Sequence, residues 1–252
     1  MPDKENRTFR ATAVVLRHVE FGEADRILTL FTLERGKIQA IAKGVRKIRS
    51  RKAGHLEPFT RVALFLAKGR NLAVVTQAEA LESYPGIRAD LQRTALAAYM
   101  VELLDRFSQE EGENRQLFHL LVDSLGRLNK DEQPETVVRY YEVQLLDLLG
   151  FRPELTYCVA CRAEIKPEDQ YFSARLGGAL CPRCSAHDPA AWRVSMTALK
   201  YLRYFQRSPY AAVRGRVIPA AAEAELRALM ERYFTYLLEY GLRTPGFLDA
   251  IS

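Results

Sequence analysis

The sequence predicts an α+β chain: a small N-terminal β-barrel followed by a mainly helical region that carries a four-cysteine metal module. Three observations predict it. From Thr8 to about Ala80 the apolar residues fall in short β-branched runs, beyond Tyr84-Pro85-Gly86 they recur with helical spacing, and all four cysteines form two Cys-x-x-Cys pairs. At 252 residues the chain has room for one large domain or two modest ones. Hydrophobic residues at 48% and charged residues at 27% suit a folded globular protein rather than a disordered one. No segment approaches about 18 uninterrupted apolar residues, so no membrane span is expected. The polar start Met1-Pro2-Asp3-Lys4-Glu5-Asn6-Arg7 lacks the apolar stretch of a signal peptide, which makes the cytoplasm the expected location.

Strands are expected at Thr8–Leu16, Arg26–Thr32, Lys37–Ala42, Arg61–Ala67 and Leu72–Ala80, each rich in Val, Ile, Leu, Phe or Thr. Phe21-Gly22-Glu23, Arg35-Gly36 and Lys68-Gly69-Arg70-Asn71 supply turns between them. A longer Lys/Arg-rich segment separates the third strand from the fourth. Five short strands with one long connection at that place match the order and size of an OB-fold barrel. This domain is expected to cover residues 1–82.

A helical domain is expected over residues 83–252. Leu96, Tyr99, Met100, Leu103, Leu104 and Phe107 share one helical face, and Leu117, Leu121, Leu125 and Leu128 another. Pro134-Glu135 opens a helix whose stripe is Val138, Tyr141, Leu145, Leu148 and Leu149, with Gly150 as the stop. Another helix runs through Met196–Phe205. The last carries Leu226, Leu229, Met230, Tyr233, Phe234, Leu237 and Leu238. Its aromatic stretch, Tyr233, Phe234, Tyr236 and Tyr240, could be imagined as a base-stacking platform, but the spacing assigns most of these residues to a buried face.

The cysteines stand as Cys158-x2-Cys161-x19-Cys181-x2-Cys184, the spacing of a two-knuckle zinc site at about residues 155–188. Two such turns can aim four thiolates at one borderline-soft ion. Disulfides are disfavoured in a reducing compartment, and a redox Cys-x-x-Cys needs no matched second copy. One structural Zn2+ is therefore expected, since four thiolates close the shell and leave no position for an activated water. His187 is a conceivable substitute ligand, although a surface histidine is the simpler reading. Residues 152–193 hold six Lys+Arg and five Asp+Glu, a near-neutral balance that argues for a clip against the helices rather than a phosphate-tracking finger.

The charge lies elsewhere. The net charge is +6, yet residues 1–80 contain 16 Lys+Arg and 8 Asp+Glu, so the excess belongs to the N-terminal third. Such asymmetry hints at nucleic acid, although anionic membranes or acidic protein tails would also satisfy it. Lys43-Gly44-Val45-Arg46-Lys47-Ile48-Arg49-Ser50-Arg51-Lys52 places six cations in ten residues with no carboxylate. A merely solvated loop is the bland alternative, but this run links two barrel strands, where OB-type barrels bind nucleic acid strands. Arg26, Arg35 and Lys37 could extend the same surface.

Several motifs, taken in order, resemble the bacterial RecO family of recombination mediators. They are Gly22-Glu23-Ala24-Asp25, Phe31-Thr32, Arg35-Gly36-Lys37, Lys43-Gly44-Val45-Arg46-Lys47 with Ser50-Arg51, and Leu56-Glu57-Pro58-Phe59. Leu148-Leu149-Gly150-Phe151-Arg152-Pro153 then stands just before the cysteines. The resemblance implies a non-enzymatic DNA repair and recombination protein of the bacterial nucleoid. It further implies binding of single- and double-stranded DNA, strand annealing, and partnership with RecR. Recognition of the acidic C-terminal tail of single-stranded DNA-binding protein (SSB) and help in loading recombinase onto coated DNA complete the set. Its basic motif assigns DNA contact to Lys37, Lys43, Arg46, Lys47 and Arg51, with Arg49 and Lys52 added on charge. For the SSB tail, two helices offer cations beside apolar residues. One carries Arg139 next to Tyr140, and the other carries Lys200, Arg203 and Arg207.

Two other classes compete. A nuclease fits poorly, because His18, His55, His119 and His187 are scattered and the pairs Glu110-Glu111 and Asp131-Glu132 stand in expected loops. A zinc-ribbon adaptor or regulator that binds protein and does not anneal DNA is the main alternative.

Overall fold

A computed structural model describes residues 7–108, 112–131 and 133–238. Glu110, Glu111, Glu132 and Tyr240 lie outside the described residues. The chain forms two compact units, residues 1–129 and 130–252.

In the first unit, β1 (Thr8–Phe21), β2 (Asp25–Thr32), β3 (Gly36–Ala42), β4 (Arg61–Ala67) and β5 (Ala73–Glu82) close into a barrel in the order β1-β2-β3-β5-β4. The expected five strands and their barrel are present. All pairings are antiparallel except β3 with β5, which run parallel and meet only at Ala40↔Ala73 and Ile41↔Val74. Alternate residues point inward, and Ala13, Val15, Leu28, Leu30, Ala40, Val62, Leu64, Leu66 and Val75 fill the interior. Val45 and Leu56, from the long β3–β4 connection, join that core.

β1 runs five residues beyond its expected end at Leu16. A register shift between Val15 and Arg17 re-aims the strand, which keeps pairing with β2 as far as Phe21↔Asp25. The extension carries exposed Val19 and Phe21, so no burial signal marked it in the sequence.

The period changes where expected, at Glu82–Pro85, but the compact units divide later, because three helices pack with the barrel. These are α1 (Pro85–Arg88), α2 (Leu91–Phe107) and α3 (Arg115–Leu128). Asp90 and Asn114 cap α2 and α3, accepting from the amides of Arg93 and Leu117, each at 3.0 Å. The expected stripes are buried, with Phe107 only half-buried. Asp105 near the end of α2 pairs with Arg17 at 3.0 Å and Lys37 at 3.3 Å. Arg88 donates to the Pro58 carbonyl at 2.8 Å and the Thr60 hydroxyl at 2.9 Å.

The second unit is built on α4 (Pro134–Leu148), α5 (Met196–Arg207), the short α6 (Tyr210–Val213) and α7 (Ala220–Leu238). Gly150, at φ +79°, ends α4, and the Phe151 amide reaches back to the Leu146 carbonyl at 2.8 Å. Between α4 and α5 lies a three-stranded sheet of β6 (Gln170–Ser173), β7 (Gly178–Leu180) and β8 (Trp192–Val194), in the order β7-β6-β8. Tyr233 and Phe234 are buried as the core reading expected, and Tyr236 is exposed. No helix among the described residues is long and apolar enough to cross a membrane.

Candidate metal centre and nucleic-acid surface

The two Cys-x-x-Cys turns meet. All four sulfur atoms lie within 4.8 Å of one another, and the Cys161 and Cys181 sulfurs are 3.8 Å apart. A tetrahedral four-thiolate ion with metal–sulfur bonds of about 2.3 Å sets its sulfurs about 3.8 Å apart, so the donor set fits such an ion. Among the described residues, no other group of three or more His, Cys, Asp or Glu side chains is arranged to hold a metal.

The first turn is a small hairpin. The Cys158 amide bonds the Ala163 carbonyl at 2.8 Å, and the Arg162 amide returns to the Cys158 carbonyl at 2.9 Å, with Arg162 at φ +61°. The second follows β7 directly: the Cys184 amide closes on the Cys181 carbonyl at 2.8 Å, and Pro182 presets the helical φ of that turn. Burial opposes ionisation of Cys158. Amides of Cys161, Cys181 and Ala160 directed at its sulfur outweigh that effect and bring its pKa down to about 6. His187 is exposed, its Nδ1 on the Cys184 carbonyl at 3.1 Å, and stands outside the four-sulfur cluster.

The two turns are brought together by backbone pairing. The Glu154 amide donates to Gly177, Ala179 donates back to Glu154 at 2.8 Å, and Val159 donates to Ala179 at 2.9 Å. Gly178 makes this possible, since a Cβ there would fall 2.3 Å from the Glu154 carbonyl oxygen. Gly178→Ala is expected to lower the stability of this unit by about 2 kcal/mol, to be read from thermal unfolding of the metal-loaded protein.

Among the residues that tie the module to the helices are two, Arg203 and Arg207, that the sequence had offered for a partner. Arg203 donates through Nε to the Leu155 carbonyl at 2.8 Å, Arg207 reaches the Thr156 hydroxyl at 2.8 Å, and Gln206 bonds the Pro153 carbonyl at 2.9 Å. Phe172 of β6 stacks edge-on with Tyr233 of α7 at 5.2 Å. Arg139 is 3% exposed and paired with Glu142 at 2.8 Å and Glu223 at 3.3 Å. Burial raises the Glu223 carboxyl pKa despite the opposing pull of Arg139. Lys200 and Arg207 remain exposed.

The nominated DNA residues, all in the first unit, divide by environment. Arg26 is half-buried and paired with Glu57 at 2.9 Å. Lys37 is held by Asp105, whose carbonyl it reaches at 2.6 Å. Lys52 turns inward onto the carbonyls of Lys43 at 3.3 Å and Val75 at 3.1 Å. Arg46 is exposed but pairs with Glu20 at 3.0 Å. Arg35 lies over the Phe9 ring at 4.0 Å. Lys43, Lys47, Arg49 and Arg51 are exposed and meet no carboxylate among the described residues.

The segment is anchored at its root. Gly44, at φ +65°, donates to the Asp25 carboxylate at 2.7 Å, and the Arg46 amide donates to the Ala24 carbonyl at 2.9 Å. Asp25 and Asp105 were not singled out from the sequence. Asp25 closes the Gly22-Glu23-Ala24-Asp25 motif, whereas nothing local marks Asp105. Also missed was a groove of about 1030 Å³ beside the short β3–β5 seam, lined by Phe9, Arg35, Lys37, Lys68 and Arg70.

Comparison with known proteins adds a family. The profile described as Recombination protein O N terminal matches residues 7–84, and the one described as Recombination protein O C terminal matches residues 88–245. Proteins named DNA repair protein RecO are similar over nearly the whole chain. That of Roseiflexus sp. (strain RS-1) is 41% identical over 246 residues, 98% of this chain and 87% of its own length. The Pelotomaculum thermopropionicum protein is 36% identical, covering 96% of this chain and 94% of its own. One from Dehalococcoides mccartyi (strain ATCC BAA-2266 / KCTC 15142 / 195) is 35% identical over 97% of this chain and 96% of its own.

Proposed function

The chain belongs to the RecO family of DNA repair proteins, and on that premise we propose that it is a non-enzymatic mediator that binds single- and double-stranded DNA and anneals complementary strands. The observation that carries this reading is the cluster Lys43, Lys47, Arg49 and Arg51: four exposed cations, unanswered by carboxylates among the described residues, on a segment bonded to a barrel. Cations in this state are available to displace counterions from phosphates, the main source of sequence-independent affinity. The anchoring at Asp25 and Ala24 orders the segment in advance, so less conformational entropy is lost on binding. Neutralising phosphates on two strands lowers their mutual repulsion and favours pairing. Arg26, Lys37 and Lys52 support the surface from beneath, each already engaged within the unit.

In this reading the cysteine cluster holds one Zn2+ that ties the first turn to the second. The four side chains supply all the coordination, and their part is architectural. RecR and the acidic tail of SSB are the expected protein partners. For the tail, Lys200 and Arg207 are the exposed cations of the nominated set, Arg207 while also donating to the Thr156 hydroxyl; Arg139 is buried between carboxylates and half-buried Arg203 holds Leu155. The mediator would act at the bacterial nucleoid, where SSB-coated strands await recombinase.

The deciding assay is annealing of complementary strands with and without SSB coating. The expected result is acceleration in both cases, with annealing of coated strands lost when the SSB tail is removed. No acceleration of bare strands would overturn the reading in favour of a protein-binding adaptor.

A further inference from the structure

The tip of the basic segment carries a residue that charge does not account for. Ile48 has a relative exposure of 105%, so nothing among the described residues covers it. It occupies the second position of the turn Lys47–Ser50, which the Ser50 amide closes on the Lys47 carbonyl at 2.8 Å. At the second position of a common turn, proline is the favoured residue because its ring presets φ. A bare β-branched aliphatic there adds nothing to the core, and sequences break local rules of this kind mainly at functional sites.

Its surroundings indicate what it meets. Lys47 and Arg49 flank it directly, with Lys43 and Arg51 close by in sequence, all four exposed. The base of the segment is fixed by Gly44 to Asp25 at 2.7 Å, Arg46 to Glu20 at 3.0 Å, and Lys52 to the Val75 carbonyl at 3.1 Å. An apolar side chain is therefore presented from an anchored support, between cations that suit phosphates. In complexes with duplex DNA, apolar side chains including isoleucine frequently enter between base steps and partly unstack them.

We propose that Ile48 is a wedge that enters a base step of the bound strand while Lys47 and Arg49 take the phosphates on either side. The inference rests on the DNA-binding reading above. An isoleucine side chain has no donor or acceptor, so the contact is sequence-tolerant.

The test uses the full-length, metal-loaded protein and a single strand containing 2-aminopurine, whose fluorescence rises on unstacking. The wild type is expected to give that rise. Ile48→Ala is expected to lose at least half of it and to bind about threefold to tenfold more weakly, the scale of a modest base contact. Its salt dependence should stay that of the wild type, and Ile48→Met should retain the rise. Ile48 is exposed, so unchanged circular dichroism serves as the folding control. An unchanged rise in Ile48→Ala, or no rise with the wild type, overturns the wedge. So does a variant that keeps its DNA signal and loses only RecR. If replacing Lys43, Lys47, Arg49 and Arg51 leaves the salt dependence untouched, the DNA surface itself is misplaced and the wedge falls with it. A flattened salt dependence in that variant, together with an unchanged rise in Ile48→Ala, removes the wedge alone.

Discussion

Chelation of a metal held by the four cysteines, as proposed above, or Cys158→Ser, is expected to unfold the module around residues 153–194 and to lower the melting temperature of the second unit sharply. The strands β6, β7 and β8 have only four, three and three residues, too few to hold a sheet without further support. A structural zinc contributes about 10 kcal/mol or more of apparent binding free energy in small modules, comparable to the whole stability of a domain, about 5–15 kcal/mol. The loss should spread, because Phe172 packs on Tyr233 and the carbonyls of Pro153 and Leu155 are held by Gln206 and Arg203 of α5. Native mass spectrometry is expected to find one zinc per chain, with four thiols becoming reactive on chelation. A variant that stays folded without metal yet specifically loses DNA binding would contradict the architectural role.

The second large effect concerns affinity rather than stability. Replacing Lys43, Lys47, Arg49 and Arg51 together with alanine is expected to weaken DNA binding by orders of magnitude at low salt, with little change in melting temperature. These side chains are exposed and pair with no carboxylate among the described residues, so their removal leaves no buried partner unanswered. Lys37→Ala should behave in the opposite way. It strips Asp105 of one of its two cations, Arg17 being the other, and is expected to cost stability while leaving most of the affinity intact.

This contrast shows what the sequence could and could not reveal. The cysteine spacing is a local pattern with few chemical meanings, and all four sulfurs converge as that spacing required. The five barrel strands and the long helices α2, α3, α4, α5 and α7 were legible because burial imposes a period. α1, α6 and β8 were not, being three or four residues long. The exposed end of β1 escaped for the converse reason: Val19 and Phe21 alternate with polar residues but face solvent. Charge counting located the basic region yet could not sort its members. Arg26 finds Glu57 31 residues away, and Lys37 finds Asp105 68 residues away. Arg139 likewise meets Glu223 from a different helix. Pairings at that separation leave no trace in a local count, so engaged and available cations look alike until the fold is known.

The central claim is that the exposed cations of residues 43–51 carry the DNA, while the cysteine cluster shapes the protein. The most direct test is the salt dependence of single-strand binding by the metal-loaded protein and its Lys43, Lys47, Arg49 and Arg51 alanine variant. Each phosphate contact contributes about 0.7 to the logarithmic slope on single strands, so the account predicts a slope shallower by up to about 2.8. An unchanged slope in a folded variant would place the DNA elsewhere and contradict the account.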